Sequence, residues 1–278
     1  MRATVTLPAG ETVPAMGLGT WHMGERIGDP VAEAAALQRG LDLGAKLIDT
    51  AEMYARGGAE RVVAEAIKTR KDEVFIVSKV LPHNASRAGT IAACEKSLQR
   101  MDIDTIDLYL LHWPGPHPLN DTVAAFQELK QAGKIRHWGV SNFDTEDMKE
   151  LWSIPGGIDC QTNQVLYNLM RRGVEWDLLP WCLQNKVSVM AYSPLEQGRL
   201  LKNKRLQQLS SRLGLTTSQI SIAWTLRKEG IISIPKASSL AHVEENIAAW
   251  DIALSQETIE HLDAEFSPPT TKGSLDIL

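Results

Sequence analysis

A single (β/α)₈ barrel, an α/β fold, is the architecture that this sequence predicts, on three observations. Amphipathic stretches with apolar residues at helical spacing alternate with short β-prone runs. Several of these runs end in a polar residue, as barrel strands do when they supply an active site. The runs also recur about every thirty residues without sequence identity between units. They lie at 15–18, 46–49, 74–79, 106–111, 135–140, 161–165, 187–192 and 231–234.

Additional elements are expected at both ends of this barrel. Residues 3–7 and 12–14 flank a Pro-Ala-Gly-Glu turn and predict a β-hairpin that covers the bottom of the barrel. The long gap between the seventh and eighth strand runs accommodates two extra helices. Another helix is expected near 255–265, and the tail at 266–278 should be loosely ordered.

The helix boundaries follow from residues that start or stop helices. Helices are predicted to start at Asp29-Pro30 and at Ser86. The aspartate and serine side chains can cap a first helical turn, and the proline ring fits within it. Gly44 and Gly133 are predicted stops. We see no linker, so residues 1–278 are read as one domain, with a core of about 13–265.

The overall composition limits the kinds of function that this protein can have. Of 278 residues, 44% are hydrophobic and 23% charged, which is typical of a globular protein. The net charge of −5 argues against a general nucleic-acid surface. Cys94, Cys160 and Cys182 lack metal-ligand spacing and are read as buried, reduced thiols, with no metal expected. Without a signal sequence or a long apolar run, we expect a cytoplasmic monomer that binds no membrane.

Four of the strand runs end in chemically active side chains. Taken singly, an aspartate at a strand end is commonly a helix cap, and a lone lysine is commonly solvated. Several charged groups behind aliphatic runs at one barrel end are costly unless they act together, so a catalytic set is favoured. The residues are Asp49, Lys79, His112, Ser141 and Asn142, with Tyr54 five positions after Asp49.

Seven motifs, in order and spacing, resemble the aldo-keto reductase family, from about Val13 to Leu262. This resemblance implies a TIM barrel, a nicotinamide cofactor (NADPH, with NADH weaker) and reversible reduction of a small-molecule carbonyl. The motifs are GLGTW (17–21), DTAEMY (49–54), Lys79 after IVS, LLHWP (110–114), GVSNF (139–143), AYSPL (191–195) and IPKASS (234–239).

The resemblance also assigns catalytic roles. Tyr54 is the general acid, and a phenol with a pKa near 10 needs nearby charge to release its proton. By this resemblance, Lys79 is expected to lower the pKa of Tyr54, and Asp49 is expected to hold the Lys79 ammonium group in place. His112 would orient the substrate oxygen.

Cofactor contacts follow from the same resemblance. Where many NADPH-selective members carry arginine, this chain has His242, and an imidazole lacks the charged fork of arginine. NADPH preference should therefore survive through Lys236 but be weaker. The implied cofactor residues are Thr20, Trp21 and Asp49; Ser141, Asn142 and Gln164 for the carboxamide; Tyr192 for ring stacking; Ser193, Leu195, Gln197 and Gly198 near the pyrophosphate; and Lys236, Ser238, His242, Glu245 and Asn246 at the adenosine end.

The substrate side is implied to be aromatic and open. Trp21, Met53 and Trp113 would surround a carbonyl held by Tyr54 and His112. Such walls suit glyoxal-type or aromatic aldehydes.

Two rival interpretations stay open at this stage. One is a nucleotide-sensing regulatory subunit on the same fold, resembling potassium-channel β subunits, which the intact tetrad and the short N-terminus disfavour. The other is a metal-dependent hydrolase with His112 and Asp49 as ligands, which the missing His-x-His motif disfavours.

Overall fold

The protein, described here from a computed structural model that covers residues 2–278, confirms the predicted barrel. Two β-bridges, Met16 with Ser233 and Gly19 with Lys236, join the first barrel strand to the last. All eight predicted strand runs are present, the first of them shifted towards Gly19. The eight parallel strands pair in chain order: β3 (Leu18–Gly19), β4 (Leu47–Asp49), β5 (Phe75–Val80), β6 (Ile106–Leu111), β7 (Ile135–Ser141), β8 (Thr162–Leu166), β9 (Ser188–Tyr192) and β10 (Ile231–Ile234).

Two glycines in the GLGTW motif allow the barrel to close. The amide of Gly17 donates to the Ser233 carbonyl oxygen at 2.9 Å, and that of Gly19 donates to the Pro235 carbonyl oxygen at 3.0 Å. A Cβ atom on Gly19 would lie 2.9 Å from the Ile234 carbonyl oxygen. Glycine is therefore required for this close backbone approach.

The helices begin and end where the sequence predicts. The Asp29 carboxylate caps α1 by accepting from the backbone amides of the first turn, and the Ser86 hydroxyl caps α3. Gly44 and Gly133 follow helix ends with φ of 95° and 70°. The helices are α1 (Pro30–Asp42), α2 (Gly58–Ile67), α3 (Arg87–Met101), α4 (Leu119–Gln131), α5 (Thr145–Ser153), α6 (Leu178–Gln184), α7 (Lys204–Leu213), α8 (Thr217–Leu226), α9 (Leu240–Ala248) and α10 (Gln256–Glu265).

The predicted hairpin seals the amino-terminal end of the barrel. Strands β1 (Thr4–Thr6) and β2 (Thr12–Pro14) pair antiparallel. Val5, Leu7 and Val13 are buried against side chains that fill the barrel interior, each such burial contributing about 1.5–3 kcal/mol. The bottom of the barrel is therefore closed, and the opposite end stays available for a site.

The C-terminal segment makes specific contacts with the barrel. Residues 267–278 form no helix or strand, and their loose ordering stays a prediction. The Lys272 ammonium pairs with Asp177 at 2.9 Å, and Leu275 packs against the core. Helices α7, α8 and α10 are present as predicted.

The three cysteines are free and buried, as predicted. Burial raises the pKa of the Cys94, Cys160 and Cys182 thiols to about 12. In residues 2–278 there is no helix with the length and apolar character needed to cross a bilayer.

Candidate active site

The carboxyl ends of the barrel strands surround one cavity of about 420 Å³. Lys79 lies directly beneath it, fully buried. The parallel strands bring together residues that are far apart in sequence. The predicted site residues that line the cavity are Thr20, Trp21, Asp49, Met53, Tyr54, His112, Trp113, Ser141, Asn142, Gln164, Tyr192, Ser193 and Lys236.

A buried ion pair forms the floor of this cavity. The Lys79 Nζ atom lies 2.8 Å from Asp49 Oδ2 and 2.8 Å from the Thr50 carbonyl oxygen, and it donates to the Tyr54 hydroxyl oxygen at 3.3 Å. Lys79 is 0% exposed and Asp49 is 3% exposed. Three acceptors satisfy the three donors of the ammonium group, which is what a charge needs in order to be buried at tolerable cost.

The surroundings of the Tyr54 hydroxyl raise its pKa. Burial, together with the nearby Asp49 carboxylate, raises the pKa of Tyr54 well above its ordinary value. The expected lowering by Lys79 stays a prediction, because the raised pKa is the net result of burial and Asp49. Burial also lowers the pKa of Lys79, although Asp49 opposes that shift. Tyr54 is thus protonated at neutral pH, with an ammonium 3.3 Å away to stabilise the phenolate once the proton leaves.

His112 is a neutral hydrogen-bonding group. Burial and the Lys79 charge lower the pKa of His112 well below its usual 6.5. Its Nδ1 atom is buried and has no partner among residues 2–278, so Nε2 is the ring nitrogen that reaches the cavity. A buried N–H without an acceptor is costly, which favours the tautomer with the proton on Nε2. His112 can therefore donate to an oxygen in the cavity.

A hydrogen-bond network holds the amides beside Tyr192. Gln164 Nε2 donates to Asp49 Oδ1 at 2.7 Å, and the Tyr192 hydroxyl donates to Asn142 Oδ1 at 3.0 Å. Asn142 Nδ2 donates to the His112 carbonyl oxygen at 3.1 Å and to Ser141 Oγ at 3.2 Å. The predicted carboxamide contacts therefore share one network with the ion pair, and Gln164 Oε1 has no partner in the part of the chain described.

A second cavity, of about 600 Å³, continues from the first along β9 and β10. The two share Trp21, Ser193 and Lys236. Ser238 lines neither cavity; its hydroxyl accepts from Lys236 Nζ at 2.6 Å. The other predicted residues that line the second cavity are Leu195, Gln197, Gly198, His242, Glu245 and Asn246.

The turn that carries Tyr54 is strained at Ala55. Ala55 and Arg56 have φ of 49° and 52°, in the left-handed region that favours glycine. Gly57 follows with φ of 81°, and the carboxylate of the fully buried Glu60 binds the Arg100 guanidinium. The ion pair at the start of α2 anchors the turn, so Tyr54 is held despite the strain at Ala55.

Several residues around the site were not predicted. Ile234, Ile277 and Leu278 line the first cavity, and the fully buried Glu196 lies in the loop after β9. The motif pattern stops at α10, so nothing in the sequence places Ile277 and Leu278 near the strand ends. Glu196 lies in a turn that also holds Ser193, Gln197 and Arg199, so the sequence carries no signal that this glutamate is buried.

A profile of the Aldo/keto reductase family matches residues 15–265. The chain belongs to the aldo-keto reductase family. The methylglyoxal reductase YeaE of Escherichia coli is 49% identical over 272 residues, covering 96% of each chain. The glyoxal reductase of Bacillus subtilis is 34% identical over 266 residues, covering 95% of this chain and 93% of the relative. A crystal structure of an aldo-keto reductase from Klebsiella pneumoniae in complex with NADPH superimposes with a TM-score of 0.97 at 48% identity, covering all of both chains.

Membership in the aldo-keto reductase family confirms the resemblance and makes this chain an oxidoreductase that acts on carbonyl groups. Both relatives reported above are named as enzymes, so they give no support to the alternative of a nucleotide-sensing regulatory subunit. Because the chain belongs to the aldo-keto reductase family, the alternative of a metal-dependent hydrolase is no longer needed. Within residues 2–278, no group of three or more His, Cys, Asp or Glu side chains is arranged to hold a metal ion.

Proposed function

We propose that this aldo-keto reductase uses NADPH to reduce small uncharged aldehydes, with 2-oxoaldehydes such as methylglyoxal as the preferred class. The observation that carries the proposal is the Tyr54 hydroxyl, 3.3 Å from the buried Lys79 ammonium, at the floor of a largely apolar cavity. The 49% identity to a protein named methylglyoxal reductase supports the same substrate class.

The groups beside Tyr192 fit a nicotinamide ring. Ser141, Asn142 and Gln164 line the cavity, and Gln164 Oε1, which has no partner in the part of the chain described, can accept from a carboxamide N–H group. The Tyr192 ring supplies an aromatic surface for offset stacking, which contributes about 1 kcal/mol. When bound there, NADPH supplies the hydride that the carbonyl carbon accepts.

The catalytic groups of the chain supply the proton and orient the carbonyl. The Tyr54 hydroxyl gives its proton to the carbonyl oxygen as that oxygen gains negative charge. The Nε2–H of His112 donates to the same oxygen and stabilises its charge. Lys79 then stabilises the Tyr54 phenolate, and Asp49 keeps the ammonium in place.

The walls of the cavity favour an uncharged substrate. Trp21, Met53 and Trp113 form one side, and Lys236 is the one cationic residue among the described residues that line the cavity. The Lys236 ammonium donates to the Ser238 hydroxyl at 2.6 Å, and Ser238 lines neither cavity. A substrate carboxylate would therefore lose its hydration without gaining a cation.

A matched pair of substrates tests this proposal. Methylglyoxal and glyoxylate are similar in size, but glyoxylate carries a carboxylate. We expect NADPH oxidation with a kcat/KM about 100-fold higher for methylglyoxal, since leaving a charge unpaired costs about 3 kcal/mol. 4-Nitrobenzaldehyde and 4-carboxybenzaldehyde provide a second pair. Equal efficiency within each pair contradicts the proposed substrate class, and no turnover of any aldehyde contradicts the reductase function.

We propose that Lys236 gives NADPH an advantage over NADH by pairing with the 2′-phosphate. The expected advantage in kcat/KM is about tenfold, because a charge-assisted contact contributes about 1.5–3 kcal/mol and His242 adds no charged fork. Lys236→Gln should remove the advantage by lowering efficiency with NADPH. Efficiency with NADH is the internal control and should stay unchanged. Equal wild-type efficiencies would refute this role of Lys236.

The monomeric state and the cytoplasmic location remain predictions. Analytical ultracentrifugation tests the first, and cell fractionation tests the second.

A further inference from the structure

The C-terminal strap, residues 267–278, ends at the first cavity. Its last two residues, Ile277 and Leu278, line that cavity together with the catalytic groups. The backbone amide of Leu278 donates to the Tyr192 hydroxyl at 3.4 Å. The strap is therefore part of the wall that a substrate would touch.

One side chain joins this strap to the loop after β9. Arg171 Nη1 lies 3.3 Å from Asp276 Oδ1 in the strap, and Arg171 Nε lies 2.9 Å from Glu196 Oε1 in the loop. Both carboxylates raise the pKa of Arg171, Glu196 more than Asp276. Arg171 thus holds two separate segments of the chain at once.

The loop end of this bridge is buried and hydrogen-bonded. Glu196 is 0% exposed, and its Oε2 atom accepts from Asn168 Nδ2 at 2.8 Å. Asn168 also donates to the Ser193 carbonyl oxygen at 2.8 Å. Ser193, Glu196 and Gln197 all have φ near 50°, in the left-handed region. A buried carboxylate needs cationic partners, and Glu196 has Arg171 and, at 3.2 Å, the more exposed Arg199. The guanidinium of Arg171 is therefore coupled to the conformation of the loop.

The two ends of the bridge serve different cavities. The loop lines the second cavity through Gln197 and Gly198, and the strap lines the first through Ile277 and Leu278. A ligand that orders the loop therefore orders Arg171, and Arg171 in turn holds Asp276. This is a physical connection between the two cavities.

We propose that Arg171 is a positioning residue, a clasp that holds the strap over the substrate cavity when a nucleotide orders the loop at 193–198. Closed in this way, the strap presents Ile277 and Leu278 as an apolar wall for the aldehyde. The proposal rests on the proposed function, because it assigns the first cavity to the carbonyl substrate and the second to the nucleotide.

The main test is Asp276→Asn, which keeps the size of the side chain but removes its charge. We expect the KM for methylglyoxal to rise about threefold to fivefold, as the loss of a partly exposed ion pair allows. The kcat and the NADPH dissociation constant should each change less than twofold, because Asp276 touches neither the reacting groups nor the loop. Asp251→Asn is the matched control, since Asp251 is similarly exposed and pairs with Arg2 at 2.8 Å, outside both cavities.

Arg171→Gln should differ from Asp276→Asn in one respect. It also removes one of the two cationic partners of Glu196, the other being Arg199 at 3.2 Å, so NADPH binding should weaken while the KM for methylglyoxal rises. The double variant should raise KM no more than Arg171→Gln alone, because both substitutions break the same contact. Additive effects on KM, or a KM for Asp276→Asn equal to that of Asp251→Asn, would overturn the clasp.

Hydrogen exchange gives a readout that does not require turnover. Adding NADP⁺ should slow exchange at the backbone amides of residues 272–278 in the wild type and in Asp251→Asn. The slowing should be lost in Asp276→Asn and in Arg171→Gln. If aldehydes are not reduced but NADP⁺ still slows exchange in the strap, the substrate assignment fails while the clasp stands. Exchange that NADP⁺ leaves unchanged in the wild type overturns the clasp itself.

Discussion

Replacing Tyr54 by phenylalanine is expected to lower kcat/KM for methylglyoxal about 1,000-fold, within the range that general acid catalysis contributes. The substitution removes the hydroxyl beside Lys79 and keeps the ring. His112 cannot take over as an acid, because its pKa is held well below its ordinary value and the imidazole is neutral. The NADPH dissociation constant should change less than twofold, which equilibrium binding measurements check.

Tyr167→Phe is the matched control for this loss. Tyr167 lies outside both cavities, where its hydroxyl bonds Glu175 at 2.5 Å and Arg227 at 3.2 Å. The same chemical change there should leave kcat/KM within about twofold, even if stability falls by about 1–2 kcal/mol. A Tyr54→Phe variant that retained a tenth or more of wild-type activity would remove Tyr54 as the proton donor.

Replacing Lys79 by methionine is expected to cost both activity and stability. The substitution leaves the Asp49 carboxylate buried with Gln164 Nε2 as its remaining side-chain donor. Breaking a buried pair in this way lowers the free energy of unfolding by about 3–5 kcal/mol. A fall in Tm of about 10 °C should accompany it for a domain of this size.

Two further variants separate charge from packing at this pair. Adding Asp49→Asn to Lys79→Met removes the stranded charge, so the double variant should regain much of the stability but none of the activity. Lys46→Met breaks the exposed pair with Glu73, 3.4 Å apart, and should cost less than about 1 kcal/mol. Denaturant unfolding measures all three. A loss for Lys79→Met no larger than that for Lys46→Met would contradict a buried, fully paired lysine.

Local chemistry explains why much of the fold could be predicted. The Asp29 and Ser86 caps and the glycines at 44 and 133 act within one turn of the helix that they bound, so sequence spacing is enough to find them. Parallel strands end at one face of a barrel, so polar residues at strand ends, such as Asp49 and Lys79, must meet.

Effects that sum over distant neighbours could not be predicted from the sequence. Burial and Asp49 raise the pKa of Tyr54, and both depend on depth and distance in the folded chain. The contacts of the C-terminal segment could not be predicted either. Its tethers, Lys272 to Asp177 and Asp276 to Arg171, join residues about a hundred positions apart, and an exposed charge in the sequence does not name its partner.

By itself, the sequence determined the barrel with its eight strands and its helices, the family, and the four residues at the floor of the cavity. These could be predicted because periodicity, helix caps and motif spacing are properties of neighbours along the chain. Only the tertiary structure decided that the pKa of Tyr54 is raised, that Arg171 joins Glu196 to Asp276, and that Ile277 and Leu278 complete the cavity wall. Burial and long-range ion pairs arise only after the chain has folded, since both depend on which distant groups come to lie within a few ångströms.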